Sequence, residues 1–430
     1  MSIASNDPAT TVAIVGAGIG GLVLAHGLRQ RGFDVTVLER ETDLRRTVGH
    51  GLQLDAVAME ALQEMMPAAW MRRLYALAQG VWVETGYAVR DQTGRLLAGS
   101  RDVETPEGVM TDRLTLRLML ADDLDEVLRP GVEVTGYCRR PSGKVSISLS
   151  GSEEIEADLL VAADGVGSSI ATQLAGHPTS ESSALVGFAG RTPVRELSPA
   201  ALEMYGSGAL IAVGPGGCGL YSGRHESLDQ HLVSSFTPEP LHAEATIVWG
   251  AVMLEWARTA PLSELYGEEL RTALARELHS REWSPQLVEV VERAETASVT
   301  GFPFHVSPSY PAGIAPWQPS TVTALGDAVH AMPPTGGMGA STAIRDAHVL
   351  WKEMVSVQAG EQSVVGAVAA YESAMRQYAA AVVAAARRPA AWVISAAGTG
   401  GPLLPFPRER SLAAAAVSWA QRARPVPALV

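Results

Sequence analysis

The sequence predicts an α/β chain: a doubly wound, Rossmann-like parallel sheet, interrupted by an inserted, mostly antiparallel β-sheet and followed by C-terminal helices. Three features of the residue pattern predict it. Near the N-terminus an apolar run passes through a glycine turn into an amphipathic stretch. Much later, two further apolar runs end in an Asp-Gly and a Gly-Asp pair. Between those two, short runs are separated by glycine and proline, the signature of an antiparallel sheet.

Taken in order, Thr11 to Val15 reads as a buried strand, Gly16 to Gly21 as a turn, Leu22 to Arg31 as a helix stopped by Gly32, and Asp34 to Glu39 as a second strand. Such a unit closes right-handedly into a parallel sheet. Between Val132 and Ser150 the pattern turns antiparallel. Val145, Ile147 and Leu149 alternate with Ser146, Ser148 and Ser150, which predicts one wet face. Leu159 to Ala163 is apolar throughout and ends in Asp164-Gly165. The inserted sheet is expected to use Ala209 to Val213, Gly219 to Ser222, His231 to Phe236 and Thr246 to Met253. Helices are expected over Ser263 to Ser280 and Pro285 to Ala294, then a buried strand, Thr321 to Leu325, ending in Gly326-Asp327. A Pro/Gly turn, Met332 to Gly339, precedes a helix; Gln362 to Arg387 forms a long Ala-rich helix, and a last helix is expected near Leu412 to Arg422. This divides the chain into a discontinuous nucleotide-binding domain (1–180 and 298–390), a substrate-binding domain (181–297) and a helical tail (391–430).

With 33 basic against 46 acidic residues the net charge is −13, and no basic run offsets it, which argues against nucleic acid as a partner. Lys144 and Lys352 are the only lysines, so any bound anion must be held by arginines, backbone amides or helix ends. No GK[ST] loop marks a P-loop. Cys138 and Cys218 are too few for a disulfide scaffold and fit a reducing cytosol. No leader-like N-terminus and no uncharged apolar run of about 18 residues occurs. A soluble cytoplasmic protein, monomeric or homodimeric and acting on a small molecule, is expected.

The first turn reads Gly16-Ala17-Gly18-Ile19-Gly20-Gly21. Gly16 permits the tight turn, Gly18 lets a pyrophosphate approach the backbone, and Gly21 allows helix to pack on strand. Glu39 ends the second strand, where a carboxylate accepts ribose hydroxyls and repels a 2′-phosphate, so FAD or NAD is expected there rather than NADP. Asp164 and Asp327 place carboxylates at two further strand tips. A ligand with a polyhydroxyl chain needs such fixed partners, which favours FAD. The Pro333 to Ser341 turn, with Gly336, Gly337, Met338 and Gly339, opens a helix whose N-terminus favours negative charge at the edge of a flavin ring.

On these motifs the chain resembles the group A FAD-dependent aromatic monooxygenases, the family of para-hydroxybenzoate hydroxylase and the tetracycline-inactivating monooxygenases. The match runs in order through the glycine turn with Glu39-Arg40, the Gly51-Leu52-Gln53-Leu54 segment, Arg113 with Leu116 and Leu120, Asp164-Gly165, Gly326-Asp327 and the PPTGGMG turn. The resemblance implies a GR2-type FAD domain in which Glu39 holds the adenosine ribose, Arg40 the adenine side, Arg113 the middle of FAD, and Asp327 the ribityl-pyrophosphate region. It implies that Gln53 belongs to the cofactor side, that Asp164-Gly165 serves both FAD and an incoming nicotinamide nucleotide, and that Pro333 to Gly339 lines the ring. Val329 and Ser341 depart from the family pattern, which often has alanine and asparagine there.

The activity implied is NAD(P)H- and O2-dependent hydroxylation or epoxidation of an aromatic or polycyclic molecule through a flavin C4a-hydroperoxide, in bacterial secondary metabolism or aromatic catabolism. The cofactor carries the hard step. No HExxH, GxSxG or paired-cysteine pattern offers another. No catalytic residue is assigned: His305 could approach the substrate face of the flavin but also reads as an ordinary strand-end histidine, and His330 reads as a capping or packing residue. Phe188, Tyr221, Trp249, Phe304 and Met338 are pocket-lining candidates, each of which also reads as core. Arg191 and Arg224 are read as solvated, with a substrate carboxylate as the other possibility. A single dinucleotide fingerprint leaves NADH and NADPH both open. A non-redox flavin-dependent cyclase or isomerase, or a flavin-sequestering protein, would keep the same cofactor motifs.

Overall fold

A computed structural model describes residues 9–46, 51–78, 87–100, 108–205, 208–254 and 260–396. Thr11–Val15 (β1) is an apolar strand, Ile19–Gln30 (α1) starts behind Gly18, and the Arg31-Gly32 turn, with Gly32 at φ +81°, returns the chain to Asp34–Glu39 (β2). Gly51–Asp55 (β3) runs into Ala56–Met65 (α2), capped by the Asp55 carboxylate on the Ala58 amide, and Ala68–Leu77 (α3) follows Pro67. Tyr87–Asp91 (β4) and Leu96–Ser100 (β5) form a hairpin. Gly108–Asp112 (β6) leads directly into Arg113–Ala121 (α4). Leu128–Pro130 (β7) precedes a meander of Val134–Arg139 (β8), Val145–Leu149 (β9) and Glu154–Ala157 (β10), then Leu159–Ala162 (β11) and Ser169–Ala175 (α5).

Glu181–Pro193 (β12), Pro199–Tyr205 (α6), Ala209–Gly214 (β13), Cys218–His225 (β14), Gln230–Val233 (α7) and Thr246–Leu254 (β15) come next. Gly267–Ser280 (α8) and Pro285–Glu292 (α9) are followed by Thr300–Val306 (β16), Val322–Ala324 (β17), Asp327–His330 (α10), Gly339–Gln358 (α11) and Val364–Ala396 (α12).

A five-stranded parallel sheet, in the order β17-β11-β1-β2-β7, forms the centre. Its chain order reverses beside β1: the crossover through α1 goes to β2 on one side, while β11 joins on the other. In open α/β sheets the crevice at such a switch point, outside the carboxyl ends of the strands, is where ligands bind. The ends are level, with Val15 opposite both Leu38 and Ala162, and Ala162 opposite Ala324. The turns that carry the sequence motifs therefore emerge side by side.

A seven-stranded sheet, β16-β12-β15-β14-β13-β4-β5, is antiparallel except between β13 and β4. One face is covered by α6, α8 and α9, and Phe188, Trp249, Leu274 and Val288 fill the core between them. Strands β4, β5 and β16 lie outside the 181–297 range expected for this sheet but pair within it.

Three other expectations change. His231 to Phe236 is not a strand: Asp229 caps a helical turn by accepting from the His231 amide, and the hydroxyls of Ser234 and Ser235 bond back to His231 and Leu232 carbonyls. Ser146 is buried rather than wet, because Arg140 and Glu154 close over it at 3.0 and 2.9 Å. The third concerns two aromatic rings. Phe188 and Trp249, both 1% exposed, belong to the helix-covered core and not to a pocket, since period-2 alternation puts them on that face of the sheet. The helix expected near Leu412 to Arg422 lies outside the described residues.

Trp249 also donates from Nε1 to Thr192 Oγ1 at 3.1 Å. Trp249→Ala is expected to cost about 3–5 kcal/mol, measured by urea unfolding. A loss below about 1 kcal/mol would return the ring to the pocket side.

Candidate functional site

The crevice is built on backbone contacts that admit no side chain. Gly16, at φ +106°, donates its amide to Leu38 O at 2.7 Å, and a Cβ there would stand 2.4 Å from the carbonyl oxygen of Ala163. A Cβ on Gly21 would stand 2.3 Å from the Gly16 carbonyl oxygen. Gly18 is different. Its backbone is ordinary extended chain, and its nearest neighbour in the Cβ direction is Ala163 O at 3.8 Å, so there is room for a ligand. No side chain caps α1 at Gly18, which leaves a helix N-terminus facing that space.

Glu39 is 7% exposed at the end of β2. Its Oε2 accepts from the Ala17 amide at 2.9 Å and from Arg117 Nη2 at 3.0 Å, and its Oε1 accepts from the Glu41 amide at 2.9 Å. A carboxylate offers about four lone-pair sites, so capacity remains for a ribose hydroxyl. Arg117 was not singled out from the sequence. It lies one turn after Arg113 on α4 and also donates to Ala17 O at 2.8 Å and Leu44 O at 2.8 Å, tying the glycine turn to the segment after Glu39. The i, i+4 spacing of two arginines on an otherwise apolar helix was the available signal.

Arg40 is exposed beside Asp164, close enough for its charge to act on that carboxyl. Asp164 Oδ1 is buried without a hydrogen-bond partner, and burial pushes the carboxyl above its ordinary range against the pull of the Ser168 hydroxyl and Ser169 amide. Gly165, at φ +77°, has open space in the Cβ direction. On the next strand end, burial likewise pushes Asp327 up, opposed by the charges of His330 and Arg113. Arg113, the first residue of α4, is thus brought to Asp327 from far away in the chain.

Gly326 turns out of β17 at φ +62°, and its amide donates to Asp346 Oδ2 at 2.8 Å. His330 Nε2 meets the same oxygen at 2.5 Å, and Tyr378 OH donates to Oδ1 at 2.6 Å. The imidazole is fully buried, yet the carboxylates of Asp346 and Asp327 hold it above its ordinary pKa. His330 therefore supports the Asp327 turn from behind.

The Pro333 turn ends with Gly337 at φ +65° and opens α11 without a side-chain cap. Thr335 Oγ1 donates to Ala386 O at 3.1 Å, and Gly336 packs on Ala386, so α12 backs the turn. Ser341 Oγ accepts from the Asp55 amide and donates to Gln53 O, both at 3.1 Å; a hydroxyl here joins β3 to the ring-side turn. Nothing lies within 4 Å of a Cβ placed on Gly337 or Gly339.

Met338 packs with Met332, Val382 and Val383, against which Val306 also lies; Phe304, two residues earlier on the same strand face, packs with Leu185 and Phe302. Tyr221, 43% exposed, is on the uncovered face of the seven-stranded sheet. His305 is not: alternation turns it to the face shared with Gly301, which meets Phe188, and away from Phe304 and Met338. Arg224 pairs with Glu226 at 2.8 Å on the surface. Arg191 is not solvated, its side chain being 13% exposed and 3.0 Å from Asp112.

The unpartnered Asp164 oxygen, the spare capacity of Glu39, the room at Gly18 and the two uncapped helix starts fit a long dinucleotide with hydroxyl and phosphate groups. The fold and this edge define an FAD-binding α/β protein. Residues 9–205 and 311–386 match the FAD binding domain family, and the chain belongs to it.

The chain is 28% identical over 393 residues to the dual O-methyltransferase/FAD-dependent monooxygenase elcB of Phaeosphaeria nodorum, covering 82% of this chain and 41% of that protein. It spans less than half of that relative. It is 26% identical over 348 residues to aurachin C monooxygenase/isomerase of Stigmatella aurantiaca, covering 79% of each. Among solved structures, a Photorhabdus luminescens protein assigned as an FAD containing monooxygenase superposes with a TM-score of 0.75 at 26% identity, over 91% of this chain and all of that one.

Two glycines separate framework from ligand contact. Gly21→Ala is expected to lower stability by about 1–3 kcal/mol through overpacking. Gly18→Ala is expected to cost under about 1 kcal/mol while sharply weakening FAD retention. Unfolding curves of the apoprotein and FAD titration check both, and equal losses of stability would show that Gly18 has no ligand-facing role.

Proposed function

We propose that this chain is an FAD-dependent monooxygenase that uses NADH or NADPH and O2 to hydroxylate or epoxidise an aromatic or polycyclic small molecule. The observation that carries the reading is the meeting of the β1, β2, β11 and β17 strand ends at one crevice whose far end is the Met338 turn, with an apolar wall beside it. The α11 start and the alignment to relatives named as monooxygenases support it.

Bound FAD supplies two-electron reduction by a nicotinamide nucleotide and activation of dioxygen. The chain's own residues hold and shield it. In this reading Glu39 accepts the adenosine ribose hydroxyls, Arg40 lies on the adenine side, and Arg113 with the α1 start balances the pyrophosphate charge. Asp164 and Asp327, whose carboxyls burial pushes above their ordinary range, accept from hydroxyls of the extended chain. The α11 start favours negative charge at the ring edge, while Met338, Phe304 and Val306 keep water from the reacting face. No side chain is assigned as acid or base, and His305 lies on the opposite strand face from Phe304 and Val306. Action in the cytoplasm belongs to the same reading; no helix among the described residues is long and apolar enough to cross a membrane.

The purified protein is expected to be yellow and to oxidise NAD(P)H faster when a panel of phenolic, quinolone and polycyclic compounds includes its substrate. The product should be one oxygen atom heavier and should disappear under argon. Turnover to an isomer that proceeds equally without O2 would instead mark the non-redox reading, toward which the monooxygenase/isomerase name of the Stigmatella relative points.

A further inference from the structure

A second buried ionic cluster centres on Asp112, the residue before Arg113. Asp112, 1% exposed, closes β6 and caps α4: its Oδ1 accepts from the Thr115 amide at 2.9 Å and from Thr115 Oγ1 at 3.1 Å. Two basic side chains reach it from the seven-stranded sheet and its connections. Arg191 Nη2, on β12, is 3.0 Å from Oδ2, and His242 Nε2, on the loop before β15, is 3.0 Å from Oδ1. Arg191 is itself fixed at its backbone, where its amide donates to Ser298 Oγ at 2.9 Å and its carbonyl accepts from the Glu295 amide at 2.8 Å.

His242 adds an independent sign of selection for this arrangement. Its side chain is 6% exposed, and its backbone sits at φ +45°, the left-handed region that residues other than glycine adopt at a cost. The strain persists where it delivers the imidazole to Asp112.

The helix that begins on Asp112 carries Arg113 at its first position and Arg117 one turn on, and Arg117 bridges Glu39 and the glycine turn. Any shift of that helix start moves both guanidinium groups relative to the crevice. We propose that Asp112 is a positioning residue: through Arg191 and His242, the seven-stranded sheet sets where α4 begins and thereby how tightly the crevice holds FAD. The proposal rests on the reading that Arg113 reaches FAD.

FAD affinity, followed by quenching of flavin fluorescence on titration into apoprotein, is measured beside Tm for Arg191→Met, Asp112→Asn/Arg191→Met and His242→Gly. Asparagine keeps the cap, because its amide oxygen still accepts from Thr115. Arg191→Met is expected to weaken FAD roughly tenfold, the size of a coupling between contacting residues, and to lower Tm by stranding a buried carboxylate. The double variant is expected to regain Tm and to stay roughly tenfold weak. His242→Gly, which relieves the strained backbone, should fold as well as the parent and still weaken FAD.

If the double variant recovers affinity together with Tm, or if it and His242→Gly bind within about twofold of the parent, the proposal is overturned and the cluster serves stability alone. Should Arg191→Met not fold, those two variants decide. Arg113→Met separates the underlying reading: unchanged FAD affinity there removes Arg113 from the site, whatever the Asp112 variants do.

Discussion

The contact between Gly16 and the carbonyl of Ala163 is the constraint on which the rest of the molecule depends. Two neighbouring parallel strands have to be left at the same edge, one turning into α1 and the other continuing past Asp164, with backbone lying against backbone. A separation that leaves 2.4 Å for a Cβ tolerates hydrogen and nothing larger. Because Gly21 in turn lies on the Gly16 carbonyl, the helix start is fixed to the same point. The crevice is therefore dimensioned by main chain, and the side chains around it only decide its chemistry.

Carboxylates divide that chemistry into two groups. Glu39, Asp112 and Asp346 are buried and each meets a basic side chain of the protein, Arg117, Arg191 or His330. Breaking such a pair leaves a buried charge uncompensated, which is far more damaging than never having had it. Asp164 and Asp327 are different, since burial raises both and one oxygen of Asp164 has no partner. In the proposed function these two carboxyls, each at a strand tip of the central sheet, are the ones that face the ligand. With two lysines in the whole chain, arginine forks do the internal bridging, holding several carbonyls at once where a lysine would hold one point.

The strand-end motifs were legible in the sequence because each has a local steric or electrostatic cause: a turn that needs glycine, a strand tip that ends in an acid. What was not legible depended on distant partners. Period-2 alternation puts Phe188 and Gly190 on one face but does not say which face the helices cover, so the sequence leaves core and pocket both open for Phe188 and Trp249, and the structure places both in the core. The same alternation puts His305 on the opposite strand face from Phe304 and Val306. Residues 87–100 join β13 across more than 100 positions, and Arg191 meets Asp112 from 79 positions away. Nothing in either segment announces its partner. Over His231 to Phe236 the apolar content suggests a strand, whereas Asp229 and two serines favour a capped helical turn at Gln230–Val233.

One consequence follows from the way α12 is used. Glu372 takes Trp317 and Thr323, Tyr378 reaches Asp346, and Ala386 receives Thr335, so this helix braces the β17 strand, the support of the Asp327 turn and the ring-side turn in succession. It is a buttress rather than an appendage. Anyone trimming the gene to a minimal soluble fragment and cutting ahead of Tyr378 would keep every recognisable fingerprint in the sequence and discard the wall against which the cofactor clamp is braced.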